Sequence, residues 1–163
     1  MKTSLPNEIN EIISLVTDVL KKHFGNDFKS LALFGSWARR EEKEDSDIDL
    51  FAIIDNLPES HFERSILLSS LITQKAKRKV LLIGKSRDEF LSDIPSLYLD
   101  LAFDAVILFD QERFLQGKLE IIRELTKKAG LEKVQRGNRY FWKWKTPPKR
   151  GWQLTWEGFS ELP

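Results

Sequence analysis

The sequence predicts an α/β fold, a small mixed β-sheet flanked by helices, with a C-terminal helix and β-hairpin as an extension. Three observations point there. Over the first two thirds of the chain, segments with helical apolar spacing alternate with short continuous apolar runs. Gly and Pro stand at most of the changes of period. Near the C-terminus the pattern switches to aromatics at every second position, as in a half-buried strand.

In the first helix, between Pro6 and His23, apolar residues recur at Ile9, Ile12, Ile13, Val16, Val19 and Leu20. Pro6 suits a first turn and Gly25 a C-cap. Leu31 to Phe34 and Ile48 to Ile54 read as two strands around a short polar helix that starts at Ser36. Pro58 opens a further helix carrying Phe62, Ile66, Leu67 and Leu71, and Val80 to Ile83 forms a third strand stopped by Gly84. Ile94 to Leu108 reads as a helix followed by a short strand. Glu112 to Ala129 is a clearer helix, with Phe114, Leu115, Leu119, Ile122 and Leu125 inward and Gly130 as its end. Tyr140, Trp142 and Trp144 share one parity before Pro147 and Pro148, and Trp152, Leu154 and Trp156 share one after Gly151, which predicts a single hairpin.

Composition narrows the function classes. With 163 residues, 41% of them hydrophobic and 31% charged, the chain is long enough for one core and too apolar for disorder. Having no cysteine, it has no disulfides, thiolate metal ligands or cysteine nucleophile. No signal-peptide pattern opens it and no apolar run approaches the roughly 20 residues that span a bilayer, so a cytoplasmic protein without membrane contact is expected. The net charge of +1 gives no overall bias toward nucleic acid. Acidic residues nevertheless crowd between Glu41 and Asp49, and basic ones between Lys133 and Arg150.

The segment that carries chemistry is LFGSWARREEKEDSDIDLFAII, from Leu33 to Ile54. Gly35-Ser36 ends one strand, and after ten residues Asp47-Ile48-Asp49 begins the next. Side chains alternate along a strand, so Asp47 and Asp49 point to one side while Ile48 and Leu50 enter the core. Two convergent carboxylates suit a hard divalent cation, Mg2+ or Mn2+, whose remaining ligands come from substrate phosphates. Gly35 allows close approach to a phosphate, Ser36 offers a hydroxyl, and the helix start offers free N–H groups. Arg39 and Arg40, one turn on, are cationic donors for the same phosphates.

Gly35-Ser36, ten residues and Asp47-x-Asp49 resemble the signature of the DNA polymerase β-like nucleotidyltransferases, and within them the minimal prokaryotic nucleotidyltransferases. Leu97 to Asp110, LYLDLAFDAVILFD, also resembles a segment of prokaryotic members with a C-terminal extension. The resemblance implies a nucleotidyltransferase fold over residues 1–110; over 111–163 the periodicity adds the helix and a basic, Trp-rich hairpin packed on the same domain. It implies transfer of a nucleoside monophosphate from an NTP, ATP foremost, to an acceptor hydroxyl, with Asp47 and Asp49 as metal-holding catalytic residues and Gly35, Ser36 and Arg39 binding substrate. Antitoxin members that modify a toxin imply a toxin-like protein partner; a small molecule or RNA are the other acceptors.

Two positions depart from that signature. Arg40 stands where the family usually has Gly. A third carboxylate normally comes from the strand after the second helix, yet Lys79 to Ile83 holds no acid; Asp88, Glu89, Asp100 and Asp104 lie beyond it. A degenerate domain that binds nucleotide or a partner without turnover is therefore the rival reading. RGNRYFWKWKTPPKRGW, Arg136 to Trp152, interleaves bases with aromatics as a nucleic-acid-binding tail would; tryptophans packed inward with lysines facing water explain the same parity and are preferred. His23 and His61 lack any second ligand at metal spacing and are expected at the surface.

Overall fold

The computed structural model describes residues 4–73 and 75–161. Helix α1 (Asn7–Phe24) buries Ile9, Ile12, Ile13, Val16 and Leu20 and closes at Gly25 with φ of 54°. Pro6 is its N-cap residue, just outside the helix. Strand β1 (Phe28–Phe34) leads directly into α2 (Gly35–Arg39), and the acidic loop returns the chain to β2 (Ile48–Ile54). Then come α3 (His61–Ile72), β3 (Val80–Lys85), α4 (Arg87–Ser92), α5 (Ser96–Asp104) and β4 (Val106–Asp110). Helix α6 (Phe114–Ala129) follows, its start held by Asp110, whose carboxylate accepts the backbone N–H of Leu115 and of Gln116, each at 2.9 Å.

The four strands form one mixed sheet in the order β3-β2-β1-β4, with β2 and β3 parallel and the other pairs antiparallel. Strand parity divides the core. Leu31, Leu33, Leu50 and Ile54 pack with α1 and α3, while Phe51 and Ile53 pack with Phe90, Tyr98, Leu115 and Ile122 from α4, α5 and α6. A small mixed sheet covered by helices on both faces is the architecture expected from the sequence. No helix among the described residues is long and apolar enough to cross a membrane.

Four details differ from the sequence reading. Phe62 and Ile66 of α3 are exposed, at 74% and 54%, and the buried face carries Arg64 with Leu68 and Ile72. Arg64 tolerates burial because its guanidinium donates to the carbonyls of Pro58 and Gly84 and to both oxygens of Glu89. Gly84 lies inside β3, where a Cβ would meet Leu68 at 3.0 Å, so it marks close helix packing and not a strand end. Helix α4, unread in the sequence, starts at a capping box in which Ser86 and Glu89 each accept the other's backbone N–H.

The fourth difference is the tail, which makes two hairpins instead of one. Strand β5 (Leu131–Arg136) pairs with β6 (Arg139–Trp144) across Gly137-Asn138, and β7 (Trp152–Thr155) pairs with β8 (Gly158–Glu161). Gly137, at φ of 59°, permits the two-residue turn. Pro147 and Pro148 have no N–H to donate to a ladder, which separates the Trp142 and Trp152 strands.

Candidate active site

The site forms where β1 ends and β2 begins. Phe34 pairs with Asp49 and Asp49 with Leu81, so three strands present their ends together. Gly35 sits at φ of 71°, and a Cβ on it would lie 2.2 Å from Oδ2 of Asp49. The carboxylate therefore rests directly on the Gly35 backbone, and any side chain at that position would displace it. Ser36 follows, half-buried, and the buried Trp37 donates its indole N–H to the Ser46 carbonyl at 3.3 Å. That bond fastens the acidic loop to α2 just ahead of Asp47.

Arg40 closes α2 in the left-handed conformation, with φ of 61° and ψ of 40°. This gives the physical reason for a Gly preference at that position, since a non-glycine residue there bears strain of about 1 kcal/mol or more. The loop keeps its turn with Arg. Helix α2 is only five residues long. An anion here would rely on the close approach at Gly35, the Ser36 hydroxyl and Arg39 more than on a helix dipole.

Burial, and then the neighbouring Asp47 carboxylate, push the Asp49 carboxyl above the usual aspartate range, against the pull of Arg39 and Lys79. Asp47 has the Lys79 ammonium 3.2 Å from its Oδ2. Two carboxylates crowded enough to repel each other, one of them partly desolvated, are a donor set that fits a hard dication. Among the described residues no group of three or more His, Asp or Glu forms a fuller cage.

None of the acids beyond β3 completes the pair. Glu89 is engaged by Arg64, and α4 lies at the far end of β2, where Nε of Arg87 donates to Asp55 at 2.8 Å. That placement takes Asp88 away with it. Asp100 and Asp104 both bind Lys133. The residue beside Asp49 on β3 is Leu81, 48% exposed. An apolar side chain thus stands where the strand after the second helix meets the site.

Arg39 carries the remaining charge. Its Nε donates to Glu41 at 3.0 Å, its guanidinium lies 4.8 Å from the centre of the Tyr140 ring, and Nη1 is 4.0 Å from Asp104. With Lys133, Phe103 and Val106 these residues line a cavity of about 500 Å³ between α2 and the β5–β6 hairpin. Tyr140 and Lys133 were invisible as neighbours of the motif because they lie about a hundred residues downstream; Lys79 was legible only as the residue preceding β3. His23 and His61 are both exposed.

A family model described as "Polymerase beta, Nucleotidyltransferase" matches residues 14–94. A relative from Methanocaldococcus jannaschii, provisionally named a protein adenylyltransferase, is 31% identical over 124 residues, 74% of this chain and 84% of the relative. The chain belongs to the polymerase beta nucleotidyltransferase family. A second M. jannaschii relative with the same kind of name is 38% identical over 80 residues, 49% of this chain and 78% of its own. Among solved structures, a toxin–antitoxin crystal structure with AMP-PNP matches with a TM-score of 0.50 at 20% identity, covering 76% of this chain and 93% of the other. At that identity the likeness concerns the fold, and it agrees with the mixed sheet and its helices. As a nucleotidyltransferase of this family, the chain is an enzyme of nucleoside monophosphate transfer.

Proposed function

We propose that this protein adenylylates a hydroxyl on a partner protein, using ATP bound at Gly35, Ser36, Arg39, Asp47 and Asp49. The observation that carries the reading is the Asp49 carboxylate seated on Gly35 with Asp47 beside it. A bound Mg2+ or Mn2+, held by Asp47 and Asp49, would supply charge neutralisation at the phosphates. The chain's own residues position the triphosphate: Gly35 admits it closely, Ser36 donates a hydroxyl, and Arg39 offers its guanidinium. The acceptor oxygen bonds to the α-phosphorus, the bond to the β-phosphate bridging oxygen breaks, pyrophosphate leaves, and the hydroxyl proton passes to water. Relatives named protein adenylyltransferases favour a protein acceptor, and the neighbour crystallised as a toxin–antitoxin with AMP-PNP favours a toxin-like one.

Leu81 favours a second reading, nucleotide binding without turnover, since β3 presents an apolar side chain and no carboxylate next to Asp49 to take the acceptor proton. An RNA acceptor is less favoured. Trp142 donates its indole N–H to Asp100 at 3.0 Å, and Trp144 lies edge-on to Trp152 with centroids 4.8 Å apart, whereas Lys143 and Lys145 face outward. Trp142 and Trp144 therefore lie on the opposite face of β6 from Lys143. Incubation with α-labelled ATP and Mg2+ or Mn2+, with and without a candidate toxin, separates the readings. Label transferred to the toxin supports adenylylation; saturable ATP binding with no transfer to any acceptor supports binding alone.

A further inference from the structure

We infer that Tyr140, on the β5–β6 hairpin, is a positioning residue for Arg39. The inference rests on the reading of Arg39 as a phosphate contact. Tyr140 meets Arg39 twice. Its ring lies under the guanidinium, and its hydroxyl donates to Oε1 of Glu41, whose Oε2 accepts from Nε of Arg39. The hydrogen bond from Tyr140, and then that from Arg39, hold the Glu41 carboxyl below its usual range, so it stays charged in this role.

An Arg39–Glu41 pair this near the surface would ordinarily be a loose contact, since exposed ion pairs gain little and leave both side chains mobile. The aromatic face changes that. A guanidinium held at one edge by a carboxylate and from below by a ring has its plane fixed. Only Nε is committed: among the described residues Nη1 and Nη2 make no hydrogen bond, and Nη1 lies 4.0 Å from Asp104. The fork that suits a phosphate bidentately is thus left free.

The bracket is anchored from behind. Lys133, on the strand paired with that of Tyr140, binds Asp104 and lies 3.0 Å from Asp100, and its ammonium sits 5.0 Å from the Tyr140 ring centre. Trp142, two residues along, donates to the same Asp100. The hairpin is therefore fastened to α5 before it reaches the phosphate loop. Such ordering, present before nucleotide arrives, spares the entropy of immobilising a long side chain on binding.

The test is a double-mutant cycle read by calorimetric titration of the full chain with MgATP. Arg39→Ala is expected to weaken binding tenfold or more. Tyr140→Phe, which keeps the ring, is expected to cost about 3-fold, and Tyr140→Ala about 10-fold, the range for freeing one long side chain. In the Arg39→Ala background neither Tyr140 change should matter, and melting temperatures of all variants report the fold separately. If Arg39→Ala binds MgATP like the parent, the phosphate-contact reading fails and the inference with it. If Arg39→Ala weakens binding but Tyr140→Ala costs the same in both backgrounds, or tightens binding, the positioning role alone is overturned.

Discussion

Replacing Gly35 by alanine tests the site through its backbone. Two costs follow from the structure. At φ of 71° a Cβ is strained, worth about 1 to 2 kcal/mol. The same Cβ would lie 2.2 Å from Oδ2 of Asp49, against an ordinary contact of at least 3.4 Å, so the carboxylate has to retreat by about 1.2 Å. Asp49 is only half-buried and is able to swing outward. The fold should therefore bear mainly the strain, and at about 2 to 4 °C per kcal/mol for a chain of this size the melting temperature should fall by roughly 2 to 8 °C. Binding should suffer more, because a displacement of about 1 Å in a positioned group costs on the order of a hundredfold. Gly130 provides the control, with the same φ of 71° and nothing within 4 Å of its Cβ. Gly130→Ala should lower the melting temperature similarly and leave MgATP affinity unchanged. Calorimetric titration and thermal melts of both variants give the answer. Parental affinity in Gly35→Ala, or equal losses in the two, would refute the argument.

Three further outcomes are expected. With metal removed by chelator, Asp49→Asn should melt above the parent at pH 7, because a carboxyl whose folded pKa is raised costs stability while ionised. That cost disappears as pH falls through the raised pKa, so the two melting curves should converge in acid; a variant less stable than the parent at neutral pH would contradict the shift. Leu81→Asp places a carboxylate beside Asp49 on an exposed position, with little expected cost to the fold. If proton removal from the acceptor limits transfer, the rate of label transfer should rise on the order of a hundredfold, and an unchanged rate would remove Leu81 from the acceptor side of the site. Trp142→Ala deletes a partly buried indole and leaves Asp100 short of a donor, at a cost of about 2 to 4 kcal/mol. A clear fall in melting temperature with negligible RNA binding by the parent is expected; an unshifted melt with tight RNA binding would make the tail a nucleic-acid surface.

Much of this was legible because the motif and its strands are local. Asp47-Ile48-Asp49-Leu50 states its own two faces, and Gly35 follows an apolar run at the point where the chain must turn. The α/β class also followed from the alternation of periods. What escaped was non-local or compensated. The apolar Phe62 and Ile66 misdirect the facing of α3 because Arg64 is paired by residues far from it in sequence, the carbonyl of Gly84 and the carboxylate of Glu89. The tail's tryptophan parity marks the partly buried side at Trp142, Trp144 and Trp156 but fails at Trp152, which is 48% exposed, and it misses the pairing, which is set by the Gly137-Asn138 turn and the two prolines. The capping box at Ser86 and Glu89 is written in their spacing alone. Tyr140 reaching Glu41 across 99 residues leaves no trace in either segment.

On the proposed function, Asp47 and Asp49 hold a metal-bound nucleotide against Gly35 and Ser36. Titrating Mn2+ into the full chain with ATP present, and following the free ion by its electron paramagnetic resonance signal, tests it most directly. The parent should sequester more Mn2+ than ATP alone chelates, and Asp47→Asn with Asp49→Asn should bring sequestration back to that of ATP alone while its melting temperature stays at or above the parent's. A folded double variant that sequesters Mn2+ and ATP like the parent would contradict it.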